Sequence, residues 1–499
     1  MEANETIILN HFFTNSDKPI FAFRNMPPAL QNYIYTGISR FPDVRARFVK
    51  LLQDKGMLEK VAAAIERNVV VDEAIAELDR FAAERSCDLY FNMAHRSSAE
   101  GASVFLVSEQ NPIYATEDQQ DFYWPMTTME FSTRYGTRFD IEHVYWDATI
   151  MSSEFADEAK AVVERNFEVY KQGVEAVAEV IREHQQSRTE HSELTAKVSA
   201  LDAIRPSIPI AAHTTILLGG NVRSVVEHFG RMLSTCEDNF TKQYVTEGLR
   251  ELSKAIPEFF ERVQADAHVS ERNARLQEFA DNIFGRKFEP VKADVQLYSE
   301  LSLEELALTQ ILYPYCTVPF EAIYNKVSGF SEGEKREVFA LATLGRGNRK
   351  NPIRGFETRH LVFEVEAPWS LWKDFKRNRM NLRFHQDLRG LSGWHTPEIV
   401  AESSVAKEYH DAQRATAELV ERVYQKYGRL SRCVASQASR KRFLLTMGPR
   451  QLTVLGELRT CGEGDKGYRI IASKMIELAK ERNPRLFGHI IDNYRAVQK

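Results

Sequence analysis

Cysteine is scarce in this chain. Cys87, Cys236, Cys316, Cys433 and Cys461 are the only five among 499 residues, and none forms a Cys-x-x-Cys pair. An odd, sparse set excludes a disulfide scaffold, a zinc ribbon and a thioredoxin-like redox site. Cationic excess is lacking too: a formal net charge of −5 does not support general nucleic-acid binding, which needs surplus basic surface. No apolar run approaches the roughly 20 residues that cross a bilayer. The acidic start Met1-Glu2-Ala3-Asn4-Glu5 lacks the basic-then-apolar order of a secretory signal. The expectation is a cytoplasmic protein with no membrane or nucleic-acid partner. The thirteen histidines include no His-Glu-x-x-His pair; His143 and His213 read as structural. Gly345-x-Gly347 has Lys350 where a dinucleotide fingerprint needs its third glycine. Gly329-Phe330-Ser331-Glu332-Gly333 spells a nucleophile elbow, but no apolar strand leads into it, and Ser331 with Glu334 reads as a helix capping box.

What the chain does have is a long internal repeat. One copy runs from about Arg205 to Phe260 and the other from about Arg432 to Phe487. Each holds an apolar stretch, a basic residue (Arg223, Arg450), Leu-x-Thr-Cys ending at Cys236 or Cys461, and a tyrosine (Tyr244, Tyr468). The copies close on Pro257-Glu258-Phe259-Phe260 and Pro484-Arg485-Leu486-Phe487, with arginine and proline 34 positions apart in both. Solenoid units repeat every 20–50 residues or so, and a longer repeat is a fused pair of homologous domains. The expected division is 1–275 and 276–499. Fusion lets each copy keep the part of a shared site that the other has lost.

Periodicity places the elements. Leu51-Leu52, Val61-Ala62 and Ala74-Ile75-Ala76 recur at helical spacing between 29 and about 85. Val163, Phe167, Tyr170, Val174, Val177 and Ile181 form one apolar stripe on a helix within 152–200, a packing seam whose partner lies in this chain or in a second subunit. The second half has a weaker counterpart in Tyr409, Ala412, Leu419, Val423 and Tyr427, with polar Thr416 in the middle. Segments 207–218 and 441–447 read as short strands or helix entries, and Asp266 to about Pro290 as a charged helical bridge. From Phe363 the run Leu361-Val362-Phe363-Glu364-Val365-Glu366 alternates apolar and polar, a strand stopping at Pro368; the stretch 345–352 before it is a loop. The fold class is α+β, two homologous lobes each built as a sheet flanked by long helices.

Two constellations could carry chemistry. Lys376-Arg377-Asn378-Arg379-Met380-Asn381-Leu382-Arg383, with Arg389 following, is the richest basic cluster. On a strand or extended loop, arginines at i and i+2 share a side, and converging guanidiniums bind phosphate bidentately at any working pH. The alternative is a solvated cationic face. In Ser132-Thr133-Arg134-Tyr135 a hydroxyl beside a guanidinium can clasp phosphate while Tyr135 stacks on a base; the alternative is a helix N-cap.

Together the repeat and these clusters resemble the flavin-dependent (alternative) thymidylate synthase family in a tandem, double-length form. The family signature is Arg-His-Arg, seven residues, then Ser-x-Arg; the second half reads Arg377-Asn378-Arg379, seven residues, then Asp387-Leu388-Arg389. The first half keeps Ser132-Thr133-Arg134, with Phe122-Tyr123-Trp124 where the basic triplet would fall. Downstream, Asn221-Val222-Arg223 keeps the family's Asn-x-Arg but has Ser234 at the later arginine. Gly448-Pro449-Arg450 has lost the Asn, and Leu458-Arg459-Thr460 keeps the later arginine. The family's sites lie between subunits, so the resemblance implies one composite site drawn from both halves. Arg377, Asn378, Arg379 and Asn221 would face FAD. Ser132, Arg134, Tyr135, Arg389 and Arg459 would face a pyrimidine nucleotide such as dUMP.

The implied reaction is methylation of C5 of the uracil ring, with methylene-tetrahydrofolate and NADPH as co-substrates, in a homodimer that rebuilds four lobes. No enzyme nucleophile is implied, and the protein contributes positioning and electrostatics. Asn378 in place of histidine removes a titratable ring but keeps an amide. Asp387 in place of serine sets a carboxylate where a phosphate would sit, unless Arg389 pairs with it. Two further readings stay open: a non-catalytic nucleotide-binding homologue, and an enzyme acting on a modified pyrimidine nucleotide.

Overall fold

Seven strands form where branched and apolar residues sit between glycine and proline breaks. The computed structural model describes residues 3–17, 25–37, 44–67, 73–93, 96–121, 126–131, 133, 139–184, 190–299, 301–345, 353–357, 361–376, 381–461, 465–488 and 490–498. Strands β1 (Ser103–Pro112), β2 (Thr127–Glu130) and β3 (His213–Asn221) make one antiparallel sheet in the order β1-β3-β2. Strands β4 (Val295–Tyr298), β5 (Leu361–Pro368), β6 (Leu382–His385) and β7 (Arg440–Met447) make the other, in the order β4-β5-β7-β6. Apart from the added β4, the two orders are the same. The registers agree as well: Pro112 pairs with His213 as Pro368 pairs with Arg440, and Glu130 pairs with Ile216 as His385 pairs with Phe443.

The helices follow in parallel. A long helix precedes each central strand, Ala156–Glu183 before β3 and Ala406–Tyr427 before β7. After the strands come Val222–Thr235 and Pro449–Arg459, then Asn239–Ser253 and Lys466–Arg482, then the short turns Pro257–Phe260 and Pro484–Phe487. The helices expected between 29 and 85 are Pro28–Gly37, Val44–Asp54, Leu58–Glu66 and Glu73–Phe91. Ser331 does cap the helix Glu332–Ala342, exchanging hydrogen bonds with Glu334 in a capping box. The bridge is the helix Ala267–Phe284, which crosses residue 275 and sends Leu276, Phe279 and Ala280 into a core cluster of the second half. All five cysteines are free thiols.

The stripe on the first long helix finds its partner in the same chain. Val163, Phe167, Tyr170 and Val177 share one core with Tyr409, Ala412, Leu419 and Val423, a cluster that also takes in both sheets' neighbours. Polar Thr416 is explained by that contact. Asn166 Nδ2 donates to Thr416 Oγ1 at 2.8 Å, Gln413 Nε2 to Asn166 Oδ1 at 2.6 Å, and Ser436 Oγ to Gln413 Oε1 at 2.6 Å. A buried chain of this kind fixes the mutual register of the two helices, because a slip would strand every member unpaired.

The strand expected from Phe363 to Pro368 is β5, and its alternation does not mark a solvent-facing side, because all eight positions are buried. Glu364 accepts from Tyr313 Oη and from Phe320 N, both at 2.9 Å, and Glu366 pairs with Arg440 and Arg442 at 3.3 Å. The helices Leu303–Leu312 and Phe320–Ser328 cover this side. Alternation records two chemically different faces, and a second helical layer decides whether the polar one meets water.

A charged candidate site shared by the two halves

The chain leaves β1 and β5 in corresponding ways and brings the two exits together. After β1, the apolar Ile113, Tyr114 and Ala115 lead into the short helix Thr116–Gln119; after β5 comes the helix Trp369–Lys376. Ile113, Tyr114 and Ala115 share a core with Trp369, Leu371, Trp372 and Phe375, so the polar residues between them are carried inside. Glu117 Oε1 accepts from Lys441 Nζ at 2.6 Å and from Trp372 Nε1 at 2.8 Å, and lies 3.6 Å from His385 Nε2. Lys373 Nζ stands 2.8 Å from Glu130, Lys376 Nζ donates to Thr116 Oγ1 at 2.8 Å, and Arg383 Nη2 donates to the Gln120 carbonyl at 2.8 Å. Each of these contacts joins one half of the chain to the other.

Two arginines clamp the halves reciprocally. Arg432, at the head of the second repeat copy, pairs with Asp118 and Asp238 of the first half, with Glu117 3.7 Å away. Arg205, at the head of the first copy, pairs with Asp374 and Asp465 of the second half, both at 3.2 Å, and with Asp202 at 2.9 Å. Both guanidiniums are buried.

The charges do not balance evenly. Burial raises the carboxyl of Glu117, but His385, Lys441, Arg429 and Arg432 outweigh it and hold the group well below the ordinary carboxylate value. Asp118 is lowered in the same way by Arg429 and Arg432 against burial. The cations divide: Arg429 and Arg432 are raised by these acids against burial, whereas burial wins at Lys376, pushed down to about 8, Arg383, to about 10, and His385, to about 4. Acids that stay ionised beside cations that are under-compensated leave a buried surplus of positive charge. Several polar atoms around it have no hydrogen-bond partner among the described residues: both side-chain amide atoms of Asn381, Oε1 of Gln119 and Gln120, Nε of Arg383 and Oγ1 of Thr133. Native proteins pair nearly all buried polar groups. Cation surplus and unpaired amides together suit a phosphate-bearing ligand with ring carbonyls.

Of the residues expected from sequence, Arg377, Asn378, Arg379, Ser132, Arg134, Tyr135 and the Phe122-Tyr123-Trp124 segment lie outside the described residues. Their described neighbours Lys376, Asn381, Arg383, Glu130 and Thr133 are all buried. Asn221 caps the helix Val222–Thr235, its Oδ1 accepting from Ser224 N at 2.8 Å. Arg389 is buried and grips Glu421 through Nε at 3.1 Å and Nη2 at 2.6 Å, with its guanidinium 4.4 Å from the Tyr424 ring; it does not pair with Asp387. The Asp387 charge acts on Arg429 and Lys441 instead. Arg459 lies over the Tyr468 ring. These three described residues therefore have separate, local partners. His143 Nδ1 stands 2.7 Å from Asp140 Oδ1.

Sequence reading missed Glu117, Asp118, Trp372, His385, Arg429 and Lys441. Their partners are more than 190 positions away, beyond the reach of any local spacing rule.

Residues 331–485 match the family described as Thy1, thymidylate synthase complementing protein. That region is similar to the flavin-dependent thymidylate synthase family. The match spans β5 to β7 and so the cationic side of the site, and the resemblance carried by the Arg-Asn-Arg motif is borne out there. Over nearly its whole length the chain is similar to two chlamydial proteins, each called a UPF0159 protein. One, from Chlamydia muridarum (strain MoPn / Nigg), is 24% identical over 501 residues, covering 95% of this chain and 91% of the relative. The other, from Chlamydia pneumoniae, is 24% identical over 511 residues, covering 97% of this chain and 94% of the relative. The relatives thus share the chain's length. The Thy1 match implies a thymidylate synthase-related function for residues 331–485. No helix among the described residues is long and apolar enough to cross a membrane.

Proposed function

We propose that the chain binds a pyrimidine nucleotide such as dUMP together with FAD at one composite site between its halves, and methylates C5 of the uracil ring with methylene-tetrahydrofolate. One observation carries this reading: the buried surplus of positive charge formed by Lys376, Arg383 and Lys441, together with the unpaired side-chain amide of Asn381 and the unpaired Oε1 of Gln120, on both sides of the Arg377–Arg379 segment. In it, Arg377 and Arg379 hold phosphate oxygens, and Arg134 with Ser132 completes the grip from the first half. The Asn381 amide orients a ring carbonyl, and the surrounding apolar core keeps water out. Bound reduced flavin supplies hydride; the chain supplies orientation and charge, which such chemistry can run on without a protein nucleophile.

The same reading takes the halves, 1–275 and 276–499, as two homologous lobes joined by the helix Ala267–Phe284. The common strand order, the common register and the reciprocal clamps of Arg205 and Arg432 support it. A homodimer then carries four lobes. A second reading, a non-catalytic nucleotide-binding homologue, draws support from Arg389, which is committed to Glu421 and leaves the carboxylate of Asp387 among the cations.

Anaerobic turnover of dUMP with reduced FAD and methylene-tetrahydrofolate, read by product mass, separates the two readings. Arg134→Ala and Arg379→Ala, made separately, should each abolish nucleotide binding although they lie in different halves. Unchanged affinity in either variant refutes the composite site.

A further inference from the structure

The first sheet has an apolar face that nothing among the described residues covers. Phe105, Val107, Met129 and Phe131 are 59%, 55%, 71% and 48% exposed. They form one row, because Val107 and Met129 both pair with Leu217 of the central strand and Phe105 pairs with Gly219. The Phe105 ring lies across that glycine, where a Cβ would come within 2.3 Å of it. In the second sheet the positions in the same register, Val362, Glu364, Phe384 and Gln386, are all buried, and Leu308, Ile311, Phe320 and Ile323 of two helices pack with Val362 and Phe384. The N-terminal helices do not do this for the first sheet. Ala83, Cys87 and Tyr90 pack with Val104 and Leu218 on its opposite side.

We propose that this face docks against the same face of a second copy of the chain. The inference rests on the homodimer reading above and names its surface. Three features point to a second copy. The row and the residues between it (Thr127, Thr215, Leu217) carry no charge, so two copies meet without burying an unpaired ion. Self-complementarity of one patch is what a two-fold interface requires. With aromatic side chains of about 150–250 Å² each, the row bares on the order of 400 Å². A two-fold pair with its rim then buries about 1,000 Å², the area at which a specific interface becomes stable. Contact is face to face and not edge to edge. β1 breaks register between Ser108 and Asn111, with Gln110 at φ 54°, and such a bulge twists an edge away from strand pairing.

The test is the mass of the full chain in solution by light scattering and analytical ultracentrifugation. Wild type is expected as two chains. Met129→Lys and Val107→Lys should each give one chain with an unchanged melting temperature, because both side chains are exposed. Leu391→Lys, at a 57% exposed position of the other half, should stay at two chains. Met129→Gln, uncharged and equally long, should raise the dimer Kd about tenfold or more, which keeps a readout if the lysines disturb folding. Wild type as a single chain overturns both this proposal and the homodimer reading. A two-chain wild type whose mass and Kd are unmoved by all three substitutions overturns only the face.

Discussion

Arg432→Met removes one cation from two buried carboxylates and from the neighbourhood of a third. Asp238 and Asp118 lose a direct partner, and Glu117 loses the charge 3.7 Å away. Breaking a buried pair by deleting one member typically costs about 3–5 kcal/mol, because the surviving charge stays desolvated. For a cooperative chain of this length the unfolding entropy is near 1 kcal/mol per degree, so the melting temperature should fall by roughly 3–5 °C. The pH dependence has a definite sign. In the wild type, the lowered pKa of Asp118 contributes stability that is present above the unfolded carboxylate value and lost on acidification. The variant lacks much of that contribution, so the gap to wild type is widest at neutral pH and begins to close as pH falls below about 4, narrowing further towards the lowered folded value. Arg205→Met is the internal control. Its guanidinium serves Asp202, Asp374 and Asp465 in the reciprocal arrangement, so its cost should be similar. Melting curves of the three proteins at neutral pH and near pH ~4 decide the matter. An Arg432→Met protein that melts within about 1 °C of wild type at neutral pH would show that these charges do not hold the halves together.

Nucleotide affinity should fall as pH rises through about 8, where Lys376 gives up its proton, since an anion favours the charged form; Lys376→Met should bind more weakly and flatten the profile, read by titration calorimetry. Gly390→Ala should lower the melting temperature sharply, because its Cβ would sit 1.9 Å from the carbonyl oxygen of Ala417 on the second long helix. Overpacking against backbone costs about 3 kcal/mol, and an unaltered melt would mean that the turn moves freely. Ser331→Ala should cost about 1 kcal/mol by urea unfolding, the usual worth of an N-cap.

Much of the fold was legible locally. The 4-3-4 spacing of Val163, Phe167, Tyr170 and Val174 fixes which face of the first long helix is apolar, and Ser331 with Glu334 fixes a helix start. The repeat is legible because its apolar stretch, Leu-x-Thr-Cys and proline keep their order across both copies, and the strand order and register later agree with it. The weak point in the second helix, Thr416, is illegible in isolation, because its partner Asn166 lies 250 positions away. The candidate site was legible only as cationic fragments. Arg389 looks free to bind phosphate in sequence, and Glu421 claims it only once the second long helix is in place.

The order of residues by itself determined the helix and strand periods, the duplicated segment and the Arg-Asn-Arg trace of a flavin-dependent thymidylate synthase motif, since each of these depends on neighbours along the chain. Tertiary structure decided which charges meet, which sheet face is covered and which is bare. Burial and pairing are set by distance in space, and Glu117 with Lys441, or Phe105 with no described helix above it, has no counterpart in spacing along the chain.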